Sequence, residues 1–92
     1  MKKVELSKPI TAHGQQVSEL ELAEPQTADV MELGYPYLVI PSEEGDTGIE
    51  VRPKVIGRYI MRLAKIPKSS VEQLDLSDFQ KLQGVVMDFF GT

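Results

Sequence analysis

The segment PKVIGRYIMRLAKI, residues 53–66, carries the strongest helical pattern in the chain. Its apolar residues recur at intervals of three and four, which places them on one face of a helix. These apolar residues are Val55, Ile56, Tyr59, Ile60 and Leu63. A second, basic stripe has the same period and consists of Lys54, Arg58, Arg62 and Lys65. Pro53 suits the first turn, because its missing N–H would be unpaired there anyway. We therefore predict an amphipathic helix that ends near Ile66-Pro67.

Two further helices are predicted downstream of this segment. Ser69 or Ser70 can cap a short helix that runs through Leu74. Ser77 and Gln80 have the spacing of a capping box and predict the start of the final helix. The apolar face of that helix is traced by Phe79, Leu82, Val86 and Phe89, and Gly91 closes it.

The final helix has charged and aromatic features at its two ends. Asp78 lies in the first turn, where the helix dipole favours negative charge. Phe89 and Phe90 are adjacent, and neighbouring helical residues point about 100° apart, so the two rings are rarely buried equally. Phe90 either fills a groove against the opening hairpin or contributes to an exposed patch for a partner.

The opening of the chain alternates apolar and polar residues, which is typical of strands. We predict a β-hairpin of residues 3–8 and 16–22, with Gly14 in its turn because glycine adopts a positive φ without steric cost. Pro9 lacks an N–H and so predicts an edge position or the end of the first strand. A two-stranded hairpin is marginal alone, so we expect other elements to cover its apolar face.

The middle of the chain connects the hairpin to the helices. Thr27 can cap a short helix over residues 28–33, which Gly34 ends. Residues 35–41 are apolar and contain two prolines, so they are predicted to be an extended segment packed on the core, or a brief strand. Residues 42–48 are predicted to form a polar, flexible loop.

Together these elements predict an α+β fold, a β-hairpin followed by three to four helices packed on it. The 92 residues are expected to form a single domain. Residues 1–24 supply the hairpin. Residues 25–50 supply the short helix, the apolar extended segment and the acidic loop. Residues 51–92 form the helical part.

Charge is segregated along the chain, which has a net charge of −4. No Lys or Arg occurs between Pro9 and Val51, whereas six of the ten basic residues lie between Arg52 and Lys68. The basic stretch faces the acidic part, is simply solvated, or docks an acidic partner helix. Nucleic acid is the weakest alternative, because the chain is acidic overall and no aromatic residues are expected to project from a basic groove.

The sequence offers little catalytic chemistry, and we predict no catalytic residue, metal ligand or cofactor site. The absence of cysteine excludes disulfides, a thiolate zinc site and a cysteine nucleophile. His13 is the only histidine and lies in the predicted turn. The carboxylates at 43, 44, 46 and 50 do not have the spacing of a calcium loop. The apolar runs are too short to cross a membrane, so we expect a cytoplasmic protein. Because the sequence has no recognisable catalytic motif, we expect that it is not an enzyme.

Several motifs resemble the small tail assembly chaperones of Mu-like and other contractile-tailed phages and prophages. In the first half these are Leu6-Ser7-Lys8-Pro9-Ile10, Val17–Leu22 and Glu24–Asp29. In the second half they are Arg62–Pro67, Leu74–Phe79 and Val86–Gly91. Each motif is short, but their order and spacing extend the resemblance over nearly all 92 residues.

The resemblance implies a non-enzymatic role inside the bacterial host cell. Such chaperones are thought to bind the tape measure protein, a long helical chain that sets tail length, and to keep it soluble during tail assembly. The implied partners are the tape measure protein and a frameshift-extended form of the chaperone itself, and a homo-oligomer is left open. The family has no catalytic or cofactor-binding residues to transfer.

We hypothesise that the last helix supplies the apolar contact to the partner through Phe89 and Phe90. Arg58 and Arg62 would then set the orientation of the partner. Two alternatives from other functional classes are kept. One is a minor structural tail subunit that remains in the virion. The other is a small regulator that binds nucleic acid through residues 52–68.

Overall fold

The computed structural model describes residues 1–91, which form two hairpins and four helices. In chain order these elements are β1 (Lys2–Ala12), β2 (Gln15–Leu22), α1 (Thr27–Leu33), β3 (Tyr37–Pro41), β4 (Thr47–Val51), α2 (Pro53–Ala64), α3 (Lys68–Glu72) and α4 (Leu76–Phe89). The predicted α+β class is confirmed, with the opening hairpin covered by helices. No helix within residues 1–91 has the length and apolar character needed to cross a membrane.

The core lies between the β1–β2 hairpin and helices α2 and α4. All five residues of the predicted apolar face of α2 are buried, as are Leu82 and Val86 of α4. The hairpin contributes its alternating residues Val4, Leu6, Ile10, Ala12, Leu20 and Leu22. Burying this face against two helices removes it from water, which stabilises a hairpin that would be marginal alone.

The first hairpin is longer than predicted, because β1 continues past Pro9. Glu5 pairs with Glu19 and Ile10 pairs with Val17, so residues 6–9 bulge opposite Ser18 alone. Pro9 therefore lies in the bulge, where its missing N–H costs no ladder hydrogen bond. The turn is formed by His13 and Gly14, at φ values of 52° and 75°. Two consecutive positive φ angles suit the right-handed twist of a tight hairpin.

The helix starts differ from those predicted. Gln26, not Thr27, is the N-cap of α1, and its backbone N–H donates to Asp29 Oδ2 at 2.7 Å. Asp75, not Ser77, caps α4 and accepts the Ser77 N–H at 3.2 Å. A carboxylate and a hydroxyl are both good caps, so the tertiary path of the chain decides which one is used.

Two other helix boundaries also differ from the predicted ones. Helix α3 begins at Lys68 and ends at Glu72, two residues before Leu74. Helix α2 ends at Ala64, because Lys65 adopts the left-handed conformation at φ 56°.

A second hairpin, β3–β4, was not predicted and is called the arm here, residues 37–51. Its strands pair in register from Tyr37 opposite Val51 to Pro41 opposite Thr47. The predicted loop at residues 42–48 is correspondingly shorter, since Thr47 and Gly48 belong to β4. At the root of the arm, the Arg52 N–H donates to the Pro36 carbonyl at 2.9 Å. Residues 38–50 are all exposed. The expectation that residues 35–41 pack on the core is therefore wrong beyond Tyr37, because pairing with β4 carries the strand away from the core. The molecule is elongated, at 50 × 27 × 21 Å.

Candidate partner-binding surfaces

An open groove of about 700 Å³ lies between α2, α3 and the start of α4, and is called the α2–α4 groove here. Its apolar lining comes from Pro53, Met61, Val71, Leu74, Leu76 and Phe79. Its charged lining comes from Lys54, Arg58, Lys68 and Glu72. The groove therefore combines an apolar surface with three cations and one anion.

The amphipathic character of α2 produces this groove. Because the apolar face of α2 points into the core, its basic stripe points outward. Gly57 lies between the two basic residues Lys54 and Arg58 and has no side chain to fill the space. A Cβ at Gly57 would meet no atom within 4 Å, so the groove is open at this point. Leu76 adds an apolar side chain that is 69% exposed.

Arg58 has a central place on this side of the molecule. It lines the α2–α4 groove and also two neighbouring hollows. One hollow is shared with Leu33 and Ile66, and the other lies at the root of the arm. Within residues 1–91 the Arg58 side chain forms no salt bridge, so its charge is free to meet a partner. Its role in binding stays a prediction.

Arg62, one turn further along α2, is placed differently. Its Nε lies 2.6 Å from Asp29 Oδ1, and its guanidinium also donates to the Glu32 carboxylate. The hydrogen bond that Arg62 donates to Glu32 is the main cause that raises the pKa of Arg62 above its usual value. Arg62 thus joins α2 to α1 inside the chain. This pairing was not predicted, because Asp29 and Arg62 are far apart in sequence.

Phe90 contacts an aromatic cluster at the root of the arm. Its ring lies edge-on to Tyr59, with centroids 5.4 Å apart, and also near Tyr35 at 5.9 Å and Tyr37 at 6.3 Å. Phe89 and Phe90 are both half-buried beside the core.

Tyr59 links this aromatic cluster to the turn after α1. Its hydroxyl donates to the Gly34 carbonyl at 2.5 Å, and burial is the main cause that raises its pKa. Because Phe90 packs on the buried face of α2 and Arg58 lies on the exposed face, the structure does not gather the predicted partner-binding residues into one patch.

The arm presents a second candidate surface, which sequence analysis missed. Leu38, Val39, Ile40 and Ile49 are exposed to 46%, 59%, 49% and 53%, respectively. Exposed aliphatic side chains are unusual at this density on so small an element, and such patches mark interaction sites. The alternation Gly48-Ile49-Glu50-Val51 was the available signal for a strand, but the glycines and acids before it favoured a loop.

His13 and the acidic side chains are the residues to consider for catalysis and metal binding. His13 Nε2 lies 2.9 Å from the Lys65 carbonyl, so the imidazole ties the hairpin turn to the end of α2. Among residues 1–91, no three His, Asp or Glu side chains are grouped so that they could hold a metal ion.

Comparison with known proteins agrees with a binding role. Residues 3–91 match the family described as phage tail assembly chaperone proteins, E, or 41 or 14. No curated protein and no solved structure matches the chain.

Proposed function

The chain belongs to the phage tail assembly chaperones, and we propose that it binds the tape measure protein in the α2–α4 groove. In this role it keeps the tape measure protein soluble in the host cytoplasm until the tail tube assembles around it. The observation that carries the proposal is the groove itself, an open apolar surface bordered by unpaired cations.

The shape of the groove suits a helix of the partner. The part of α2 that lines it, residues 53–61, is about 12 Å long, which is slightly more than two helical turns. An amphipathic helix lays its apolar face into such a groove and contacts it through residues three and four apart. Met61 adds a flexible, polarisable side chain, which accommodates partners of varied sequence.

The charge of the groove favours a partner helix that carries acidic residues. Lys54, Arg58 and Lys68 outnumber the one acid, Glu72. Acidic residues that flank the apolar face of the partner would meet these cations, which steers association and fixes the orientation of the helix. A tape measure segment with that pattern is the expected ligand.

Of the four residues predicted from sequence, Arg58 takes part in this proposal directly. We propose that Arg62, Phe89 and Phe90 contribute indirectly. Arg62 holds α1 on α2, and the two rings support the packing beside Tyr59. Substitutions at these three positions are therefore expected to act on the fold as well as on binding.

Co-expression with the tape measure protein of the same phage tests the proposal. The natural downstream reading frame is included, so that a frameshift-extended form is also made wherever the phage makes one. We expect the tape measure protein to become soluble and to co-purify with several copies of the chaperone. A tape measure protein that stays insoluble and unbound would contradict the proposal.

Matched substitutions locate the binding site. Arg58→Glu changes the charge of the groove, and Lys2→Glu changes an exposed residue of β1 by the same amount. Leu76→Ser removes apolar surface from the groove, and Met31→Ser removes it from α1, where Met31 is 83% exposed. We expect the two groove variants to lose capture of the tape measure protein and the two controls to retain it. Equal capture by all four folded variants would contradict the groove as the site.

Mass spectrometry of purified virions distinguishes this role from that of a structural tail subunit. A chaperone leaves before the particle is complete and is expected to be absent. Stoichiometric amounts of the chain in mature particles would contradict the proposal.

A further inference from the structure

The two faces of the arm are set by its register. Val39 lies opposite Ile49, and both share a face with Tyr37 and Val51, the pair that contacts the core. Cross-strand partners point to the same side of a sheet, so this face is apolar from the root of the arm to its middle. Leu38 and Ile40 lie on the opposite face.

The two ends of the arm carry opposite charges. The turn at the tip contains Glu43, Glu44 and Asp46. Around the root, a hollow of about 600 Å³ is lined by the three cations Arg52, Lys54 and Arg58, which outnumber its one acid, Glu50. Within residues 1–91, none of these seven side chains forms a salt bridge.

One chain cannot pair these charges with each other. Each strand of the arm has five residues, which corresponds to about 17 Å from root to tip. At that separation in water, screening removes most of the attraction between the acidic turn and the basic root. The complementary charges are therefore available to a second molecule.

We propose that the arm binds the arm of a second copy of this chain, antiparallel and related by a two-fold axis. The Val39–Ile49 pair is the middle pair of the five-residue strands, so an axis through it superimposes the tip of one arm on the root of the other. Val39 and Ile49 of each copy then pack together, and each acidic turn meets the basic root of the other copy. The contact is self-complementary and closed, so it produces a dimer and not a filament.

The charge of the arm favours this occupant over the tape measure helix. An acidic partner that fits the α2–α4 groove would be repelled by the acidic turn at the tip. The acidic turn of the second copy would meet Lys54 and Arg58, which line both the root hollow and the α2–α4 groove, whereas Lys68, Leu74 and Leu76 of the groove stay uncovered. The dimer does not rest on the proposed function, because it is tested without any partner, and it would present two grooves to one partner.

Sedimentation of the purified chain over a range of concentrations tests the dimer without any partner. We expect the mass to rise from 10.3 kDa towards twice that value as concentration increases. Val39→Ser with Ile49→Ser should abolish the dimer, and the control Met31→Ser should leave it intact. A wild-type chain that stays monomeric at high micromolar concentration overturns the proposal, even if the arm variants lose the tape measure protein.

Charge reversal tests the antiparallel arrangement. One variant reverses the tip by Glu43→Lys, Glu44→Lys and Asp46→Lys, and another reverses the root by Arg52→Glu and Lys54→Glu. Each alone should weaken dimerisation on the order of tenfold or more, because like charges now meet. Mixing the two should restore it, since every tip then faces a root of opposite sign.

A control mixture separates this specific pairing from general attraction between oppositely charged proteins. It combines the tip-reversed variant with a Lys2→Glu, Lys3→Glu variant, whose net charge equals that of the root-reversed variant. In the control mixture we expect the tip-reversed variant to stay monomeric, although the Lys2→Glu, Lys3→Glu variant, whose arm is unchanged, still dimerises with itself. Entry of the tip-reversed variant into heterodimers there to the same extent as in the tip and root mixture, or no heterodimer in the tip and root mixture, overturns the antiparallel arrangement.

Discussion

The carboxylate of Asp78, fully buried in the first turn of α4, accepts both the backbone N–H of Ser7 at 2.9 Å and the Ser7 hydroxyl at 3.1 Å. The Lys8 N–H donates to the same carboxylate at 3.2 Å. These donors are free because the bulge in β1 removes them from the strand ladder. One side chain thus fastens the last helix to the first strand, 71 residues earlier.

Asp78→Ala should therefore destabilise the fold strongly. It removes every hydrogen bond that the buried carboxylate accepts from Ser7 and Lys8, and hydrogen bonds to a charged group contribute more than those between neutral groups. We expect the melting temperature to fall by roughly 8–16 °C, since 1 kcal/mol corresponds to about 4–8 °C in a domain of this size. Asp88→Asn, on an exposed position of the same helix, is the control and should cause no such fall. Equal melting temperatures for the two variants would show that the Asp78 contacts contribute little.

The same contact should make stability depend on acidic pH. The Ser7 backbone N–H is the main cause that lowers the pKa of Asp78 below its usual value. Because the carboxyl in the unfolded chain has a pKa of about 3.9, the unfolded state binds the proton more readily than the folded state. The stabilisation is complete above about pH 4–5 and is lost as pH falls through the lower, folded-state pKa.

Chemical denaturation of wild type and Asp78→Asn across pH 2–6 measures this dependence. The difference in stability between them should be constant above about pH 5 and shrink at lower pH. Asp75 also has a lowered pKa, chiefly through the Ser77 hydroxyl, but it is present in both proteins and cancels. A difference that is flat down to pH 2 would contradict the assigned role of Asp78.

Arg62 and Arg58 should differ in their effect on stability despite sharing one stripe of α2. Arg62→Glu places a carboxylate beside Asp29 and Glu32, so like charges meet where an ion pair was. We expect a clear fall in melting temperature for Arg62→Glu and little change for Arg58→Glu, whose side chain forms no salt bridge within residues 1–91. Thermal unfolding followed by circular dichroism measures both. Matching melting curves would mean that the Arg62 pairing is not significant in solution.

Two glycine substitutions should change the free energy of unfolding in opposite directions. Gly14 has a φ of 75° in the first hairpin turn, where an L side chain is strained even though the space is open. Gly14→Ala is expected to cost about 1 kcal/mol. Gly84 is exposed in the interior of α4, and a Cβ there meets nothing within 4 Å. Gly84→Ala should stabilise by about 0.5–1 kcal/mol, because alanine favours helices. Urea denaturation checks both, and destabilisation by Gly84→Ala would contradict this assignment.

Phe90→Ala should lower stability by about 2 kcal/mol, through lost apolar burial and edge-to-face contact with Tyr59. Loss of tape measure binding in this variant would therefore not by itself identify Phe90 as a contact. Phe90→Leu is a useful companion, because it keeps apolar volume and loses only the aromatic geometry. Calorimetric unfolding should rank wild type above Phe90→Leu and Phe90→Leu above Phe90→Ala. Unchanged unfolding in both variants would mean that Phe90 is free for a partner.

Local patterns predicted the elements whose stability is encoded in neighbouring residues. The apolar residues of α2 recur with the helical period, and all five are buried. Gly14 predicted the turn of the first hairpin, and Gly34 the end of α1. The order of motifs also predicted the family, because it extends over almost the whole chain.

Only the tertiary structure determined the contacts between residues that are far apart in sequence. The sequence alone determined the amphipathic face of α2 and the alternation of β1, since each depends on spacing within a few residues. It did not determine that Asp78 binds the bulge, that Arg62 pairs with Asp29, or that residues 47–51 pair with β3. Each of these contacts gains its free energy only when the fold brings its partners together. A pattern within a few neighbouring residues does not predict which distant residue the fold brings into contact.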